Sequence, residues 1–240
     1  MEGMLPSLLE KVAWLGLDFT KPPITGLMLR FAGLGFTGMK GELDAFELAL
    51  SHEGILTMVV YHDPWGWMNP RTQHLVDDVI EATRQRHQLD PALPLFSTGG
   101  SMGGHAALLY SLKSRHRVTA CMAVSPVCDL PFHYTERPDL PRTMHHAFDS
   151  YDNIDAVLRE HSPLHQIDQM PDIPYLVIHG AKDQAVKKSA HSDLFVAALR
   201  RRNLNVEYIE CPIMNHCGPM TYDTHRRSVD FILRNLPQHS

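Results

Sequence analysis

Ser101 stands in the run Phe96-Ser97-Thr98-Gly99-Gly100-Ser101-Met102-Gly103-Gly104-His105. An apolar stretch precedes it and a helical pattern follows. A serine on a tight strand-to-helix turn has its hydroxyl lifted clear, and the helix N-terminus beside it favours developing negative charge. The chemistry this pattern offers is nucleophilic attack on a carbonyl. Side chains at positions 99 and 103 would crowd the backbone of such a turn, so glycine is required at both.

A serine hydroxyl needs a base, and the base needs an orienting acid. In elbow architectures these follow the serine in the order acid, base, each past a later strand. Asp183 lies in His179-Gly180-Ala181-Lys182-Asp183-Gln184-Ala185-Val186, after one apolar run, and His216 in Met214-Asn215-His216-Cys217-Gly218, after the last. Ser101, Asp183 and His216 are therefore the expected catalytic residues. Asp129 is the alternative acid. His105 and His179 read as packed or hydrogen-bonded histidines. Cys217, next to the base, is expected to face away from it and to pack its loop on the last helix. The backbone N–H of Met102 is one expected oxyanion donor. The other comes from the loop Phe31-Ala32-Gly33-Leu34-Gly35-Phe36, at Leu34 or at Gly33.

These residues need elements to hold them. Apolar runs at 26–31, 55–61, 94–97, 118–124, 173–179 and 206–210 read as buried strands. Helical spacing occurs at 38–51, 69–84, 102–114, 187–202 and 221–236, with Asn69 as N-cap and Pro70 at the first helical position. Alternation of this kind predicts a mostly parallel sheet of six or more strands with helices on both faces, an α/β fold. Residues before Thr25 suit a helix across 6–14 or an extra strand. No linker or repeat divides the chain, so 1–240 reads as one domain. Residues 125–172 carry no strand pattern, one helix at 153–160, and several aromatics. They form a lid or pocket wall, or else a packed surface excursion. Phe132 and Tyr134 in that stretch, and Trp65 in Asp63-Pro64-Trp65-Gly66-Trp67, are the expected pocket residues, with core packing the alternative for Trp65.

Composition narrows the class. The 240 residues are 44% hydrophobic and 20% charged, with a net charge of −5. That excludes a disordered chain and gives no electrostatic footprint for nucleic acid or anionic lipid. Protonating all 16 histidines would carry the charge from −5 to +11, so charge and solubility are expected to depend strongly on pH. His133, His145, His146, His161 and His165 lack a metal-ligand spacing and read as solvated lid histidines. The four cysteines, Cys121, Cys128, Cys211 and Cys217, suit free thiols in a reducing compartment. The N-terminus is a poor signal peptide and no apolar run spans a bilayer. A cytoplasmic protein without cofactor or metal, acting on a small molecule, is expected.

The motifs together resemble an α/β-hydrolase. More narrowly, they are similar to the catalytic domain of the prolyl oligopeptidase (S9-type) family and its small esterase relatives. The matching pieces are Ala32-Gly33-Leu34-Gly35-Phe36, the elbow at 99–104, Ser162-Pro163-Leu164, the segment His179 through Val186, and Asn215-His216. The family's nucleophile, acid and base fall on Ser101, Asp183 and His216. Ala32 stands where many relatives have His, a departure in the oxyanion loop. Only about 25 residues precede the first clear strand, so the oligopeptidases' N-terminal propeller is not expected. The resemblance thus implies a serine hydrolase with Ser101 acylated by an ester, or an S9-type peptidase acting on short peptides. A non-catalytic binding protein on the same fold is the third reading, and the intact Ser, Asp and His count against it.

Overall fold

The computed structural model describes residues 8–237. A single turn of helix, α1 (Leu9–Val12), runs straight into a short strand, β1 (Ala13–Leu15). Both readings of the N-terminal stretch are therefore realised, each in miniature. The rest alternates: β2 (Gly26–Phe31), α2 (Ala45–Ser51), β3 (Ile55–Val60), α3 (Pro70–Arg86), β4 (Leu95–Gly100), α4 (Met102–Lys113) and β5 (Ala120–Val124). Three helices follow in the strandless stretch: α5 (Leu130–Glu136), α6 (Leu140–Ala147) and α7 (Ile154–Glu160). Then come β6 (Tyr175–Gly180), α8 (Ser192–Arg201), β7 (Val206–Cys211) and α9 (Tyr222–Arg234).

The sheet has seven strands in the order β1-β3-β2-β4-β5-β6-β7. Only the β1–β3 pair is antiparallel. Period-two alternation divides the core between the two faces. Leu27 and Leu29 of β2 pack with Val76 and Ile80 of α3, Leu108 of α4 and Phe195 of α8. Met28, between them, packs with Phe46 of α2 and Phe231 of α9. A third apolar cluster, including Met102, Leu130, Met144 and Phe148, roots the three-helix insertion on the end of the sheet.

Side-chain caps set several helix starts. Asn69 accepts from Thr72 N–H at 3.0 Å with Pro70 following, as the sequence indicates. Asp44 and Glu47 form a reciprocal capping box, so α2 begins at Ala45 and residues 38–44 are loop. No helix among the described residues is long and apolar enough to cross a membrane.

Candidate active site

The turn at Ser101 has φ 59° and ψ −124°, between β4 and α4. Such backbone is costly for a side-chain-bearing residue, and its neighbours must enforce it. They do so by close approach. A Cβ on Gly99 would stand 2.3 Å from the Gly103 carbonyl oxygen, and one on Gly103 would stand 2.2 Å from that of Phe31.

Ser101 Oγ lies 2.8 Å from His216 Nε2, and His216 Nδ1 lies 2.8 Å from Asp183 Oδ2. A carboxylate only accepts, so His216 carries its proton on Nδ1 and offers Nε2 as acceptor to the serine hydroxyl. The Asp183 side chain is fully buried, and its Oδ1 accepts the N–H groups of Ala185 and Val186 at 2.9 and 3.0 Å. Burial raises the cost of its charge. Hydrogen bonds led by those of His179 and His216 outweigh that cost and hold the carboxyl well below the usual range. His179 is locked in turn between Ser192 Oγ, at 2.7 Å, and the Val186 carbonyl, at 3.1 Å. Asp129 is elsewhere: it caps α5 through Phe132 N–H and meets His165.

A cavity of about 530 Å³ opens at Ser101. Gly33 and Leu34 line one side, and Trp67, His133 and Val186 line others. The N–H groups of Gly35 and Phe36 are committed to Pro64 and Gly33 carbonyls. That of Leu34 has no hydrogen bond among the described residues, and that of Met102 is one of the unpaired first N–H groups of α4.

The expected pocket residues do not line this cavity. Trp65 turns toward α6, edge-on to His146 and under Arg142. Phe132 is exposed against the His191 ring, and Tyr134 is tied to His145. The aromatic wall is Trp67 instead. Its φ of 43° turns the indole inward, where Nε1 donates to Thr143 Oγ1 at 3.0 Å and the ring packs on His105 and His133. Two tryptophans two residues apart are indistinguishable without that left-handed backbone.

The lid histidines also differ from expectation. His133 and His161 are buried, not solvated, while His146 stays on the surface. His133 Nδ1 and His191 Nε2 both reach Glu136 Oε2, at 2.5 and 2.9 Å. Their donor atoms lie within 4.8 Å of one another, near enough for a cation. The proton placement argues otherwise. His191 Nδ1 accepts two backbone N–H groups, from Cys128 and Asp129, so its proton is on Nε2 and points at Glu136. A metal at Nε2 would want a donor at Nδ1. The cluster acts as a hydrogen-bonded bridge from α5 to the start of α8. Burial works against the Glu136 charge, yet the two imidazoles bring its carboxyl down to about 2.

Cys217 is not packed on α9. The residue is exposed, but its thiol Sγ turns in at the cavity edge, near the Val124 carbonyl. Desolvation pushes it up to about 11, with the Asp183 charge adding to the effect.

A sequence profile of the prolyl oligopeptidase family (peptidase S9) matches residues 67–239. No curated protein sequence matches the chain. Among solved structures, it is similar to the acylaminoacyl peptidase of Pyrococcus horikoshii (17% identity, TM-score 0.74) over 95% of this chain and 40% of that one. It is similar to dipeptidyl peptidase 4 of Porphyromonas gingivalis (20% identity, TM-score 0.71) over 93% and 33%. Est1E of Butyrivibrio proteoclasticus aligns over 94% of both chains (21% identity, TM-score 0.65). The chain spans only a third to two fifths of the two peptidases. These likenesses describe an α/β-hydrolase fold.

Proposed function

This chain belongs to the prolyl oligopeptidase family of serine hydrolases, and from that premise we propose that it cleaves small carboxylic esters through an acyl-enzyme on Ser101. The observation that carries this reading is the unbroken hydrogen-bond chain Asp183–His216–Ser101, with both links at 2.8 Å.

In the proposed reaction Ser101 Oγ attacks the ester carbonyl carbon as His216 Nε2 takes the hydroxyl proton. Asp183 keeps the imidazole oriented and stabilises the imidazolium. The carbonyl oxygen becomes an oxyanion, received by the N–H groups of Met102 and Leu34. His216 then returns its proton to the departing alkoxide, and the alcohol leaves. Water attacks the acyl-enzyme by the same route, giving up a proton to His216, and the acid is released with Ser101 restored. The cavity is of small-molecule size, which favours a small ester.

Cleavage of short peptides is the second reading, favoured by the family match and by the peptidases among the similar structures. Four free cysteines, three of them buried, support placing the protein in a reducing compartment such as the cytoplasm.

A fluorophosphonate probe should label the wild-type protein and not Ser101→Ala, whose kcat should fall on the order of 10⁴-fold or more with the circular dichroism spectrum retained. Full activity in that variant would overturn the mechanism. Acyl esters of graded length, assayed beside matched amides, decide between the ester and peptide readings.

A further inference from the structure

The cavity at Ser101 has an unusual charge. Arg30, Lys40 and Arg137 all line it, and no aspartate or glutamate does among the described residues. The whole chain runs the other way, with 27 acidic against 22 basic residues. The three cations come from separate parts of the fold: Arg30 from β2, Lys40 from the loop before α2, and Arg137 from the end of α5.

Each cation has a carboxylate near it, but outside the cavity lining. Lys40 Nζ donates to Glu47 Oε2 at 2.7 Å, and the Glu47 side chain is fully buried. Arg137 uses Nε and Nη2 on Asp139, at 3.0 and 2.6 Å. Its Nη1 has no hydrogen bond among the described residues. Arg30 stands 3.6 Å from Asp44 and 3.5 Å from Glu47, and makes a hydrogen bond to neither. Glu47 Oε1 is correspondingly a buried oxygen with no hydrogen-bond partner. The acids tether the cations without themselves lining the cavity, and guanidinium N–H donors of Arg30 and Arg137 remain uncommitted. In a partly enclosed cavity such donors attract an anion far more than they would in open water.

We propose that the substrate carries a free carboxylate a few bonds from its scissile carbonyl, bound by Arg137, Arg30 and Lys40. This rests on the serine-hydrolase reading of the same site. The carboxylate can sit on the acyl side, as in a hemi-ester of a dicarboxylic acid. It can equally sit on the leaving group, as in an ester of a hydroxy acid or the C-terminus of a short peptide.

Matched substrates test it. On the acyl side, para-nitrophenyl hydrogen adipate is compared with para-nitrophenyl hexanoate; on the leaving-group side, O-acetylglycolate is compared with ethyl acetate. In one arm the carboxylate substrate should have a kcat/KM about tenfold higher than its neutral partner at low salt. That ratio should fall toward one in Arg137→Gln and in Lys40→Gln, and also in roughly 0.5 M salt. Ratios at or below one in both arms would overturn the proposal. Calorimetric binding of the same pairs to Ser101→Ala separates the two ideas. If the wild type hydrolyses nothing and takes no fluorophosphonate label, the hydrolase reading fails. Equal affinity within each pair sinks the carboxylate proposal whether or not the wild type is active.

Discussion

Asp183 is the most heavily bonded member of the site, because it answers to two imidazoles and two backbone N–H groups at once. Only a carboxylate can accept all of them. Asp183→Asn would turn an N–H donor toward His216 Nδ1 or His179, and so favour the wrong tautomer at the base. Its kcat should fall on the order of 10⁴-fold, with labelling slowed in proportion. A loss below tenfold would mean that Asp183 does not set the tautomer. Cys217 gives the opposite expectation. Its thiol stays protonated at neutral pH, since desolvation lifts it to about 11. Cys217→Ser should retain most of the activity on the best ester. A loss matching that of Ser101→Ala in a folded protein would implicate the thiol in the chemistry.

At the scale of elements, the site depends on how closely the loops after β6 and β7 approach. Gly180 ends β6, and a Cβ there would lie 2.3 Å from the Met214 carbonyl oxygen and 2.6 Å from that of Asn215. Gly180→Ala must push the His216 loop outward, so it should cost far more in kcat than in melting temperature. An unchanged kcat would show that the loop yields without moving the imidazole. The strands and helices that set this geometry were legible from periodicity and glycine spacing. So were Ser101, Asp183 and His216 as the side chains brought together. β1 was only half legible, since its 3 residues are too few to show an alternation. The insertion was read with one helix and has three: Pro131 and Pro141 lie in the first turns of α5 and α6, where proline opens a helix as Pro70 does, and that signal was passed over. The choice of Trp67 over Trp65 hangs on a left-handed turn at Trp67 and Met68. The bridge ties His133 and Glu136, three residues apart on α5, to His191 far along the chain, and no local pattern announces that long link.

For the whole molecule, the histidine count overstates how readily the folded protein takes up charge. His105 is fully buried, and burial lowers it to about 3 even though carbonyls of Trp67 and Val127 face its two nitrogens. Burial also lowers His62, His133 and His161. These imidazoles resist protonation in the native state, His105 most of all, while the unfolded chain protonates near pH 6.5. Their contribution to stability is complete above that pH and is lost as the pH falls; for His105, with the widest gap between folded and unfolded values, the loss runs at roughly 1 kcal/mol per pH unit. Glu136 and Asp183 act in the same direction further down. Their folded values lie below the unfolded ones, so their contribution is present above about pH 4.5 and is lost beneath it. Acid should therefore weaken the fold in two stages, the first set by histidines and the second by carboxylates. Urea unfolding between pH 7 and pH 5 should show stability falling steadily, with net proton uptake on unfolding. His105→Gln should flatten that slope whatever its effect on stability at pH 7, because one imidazole no longer distinguishes the two states. A wild-type stability that is level from pH 7 to pH 5 would show that these rings charge as easily inside the protein as outside it.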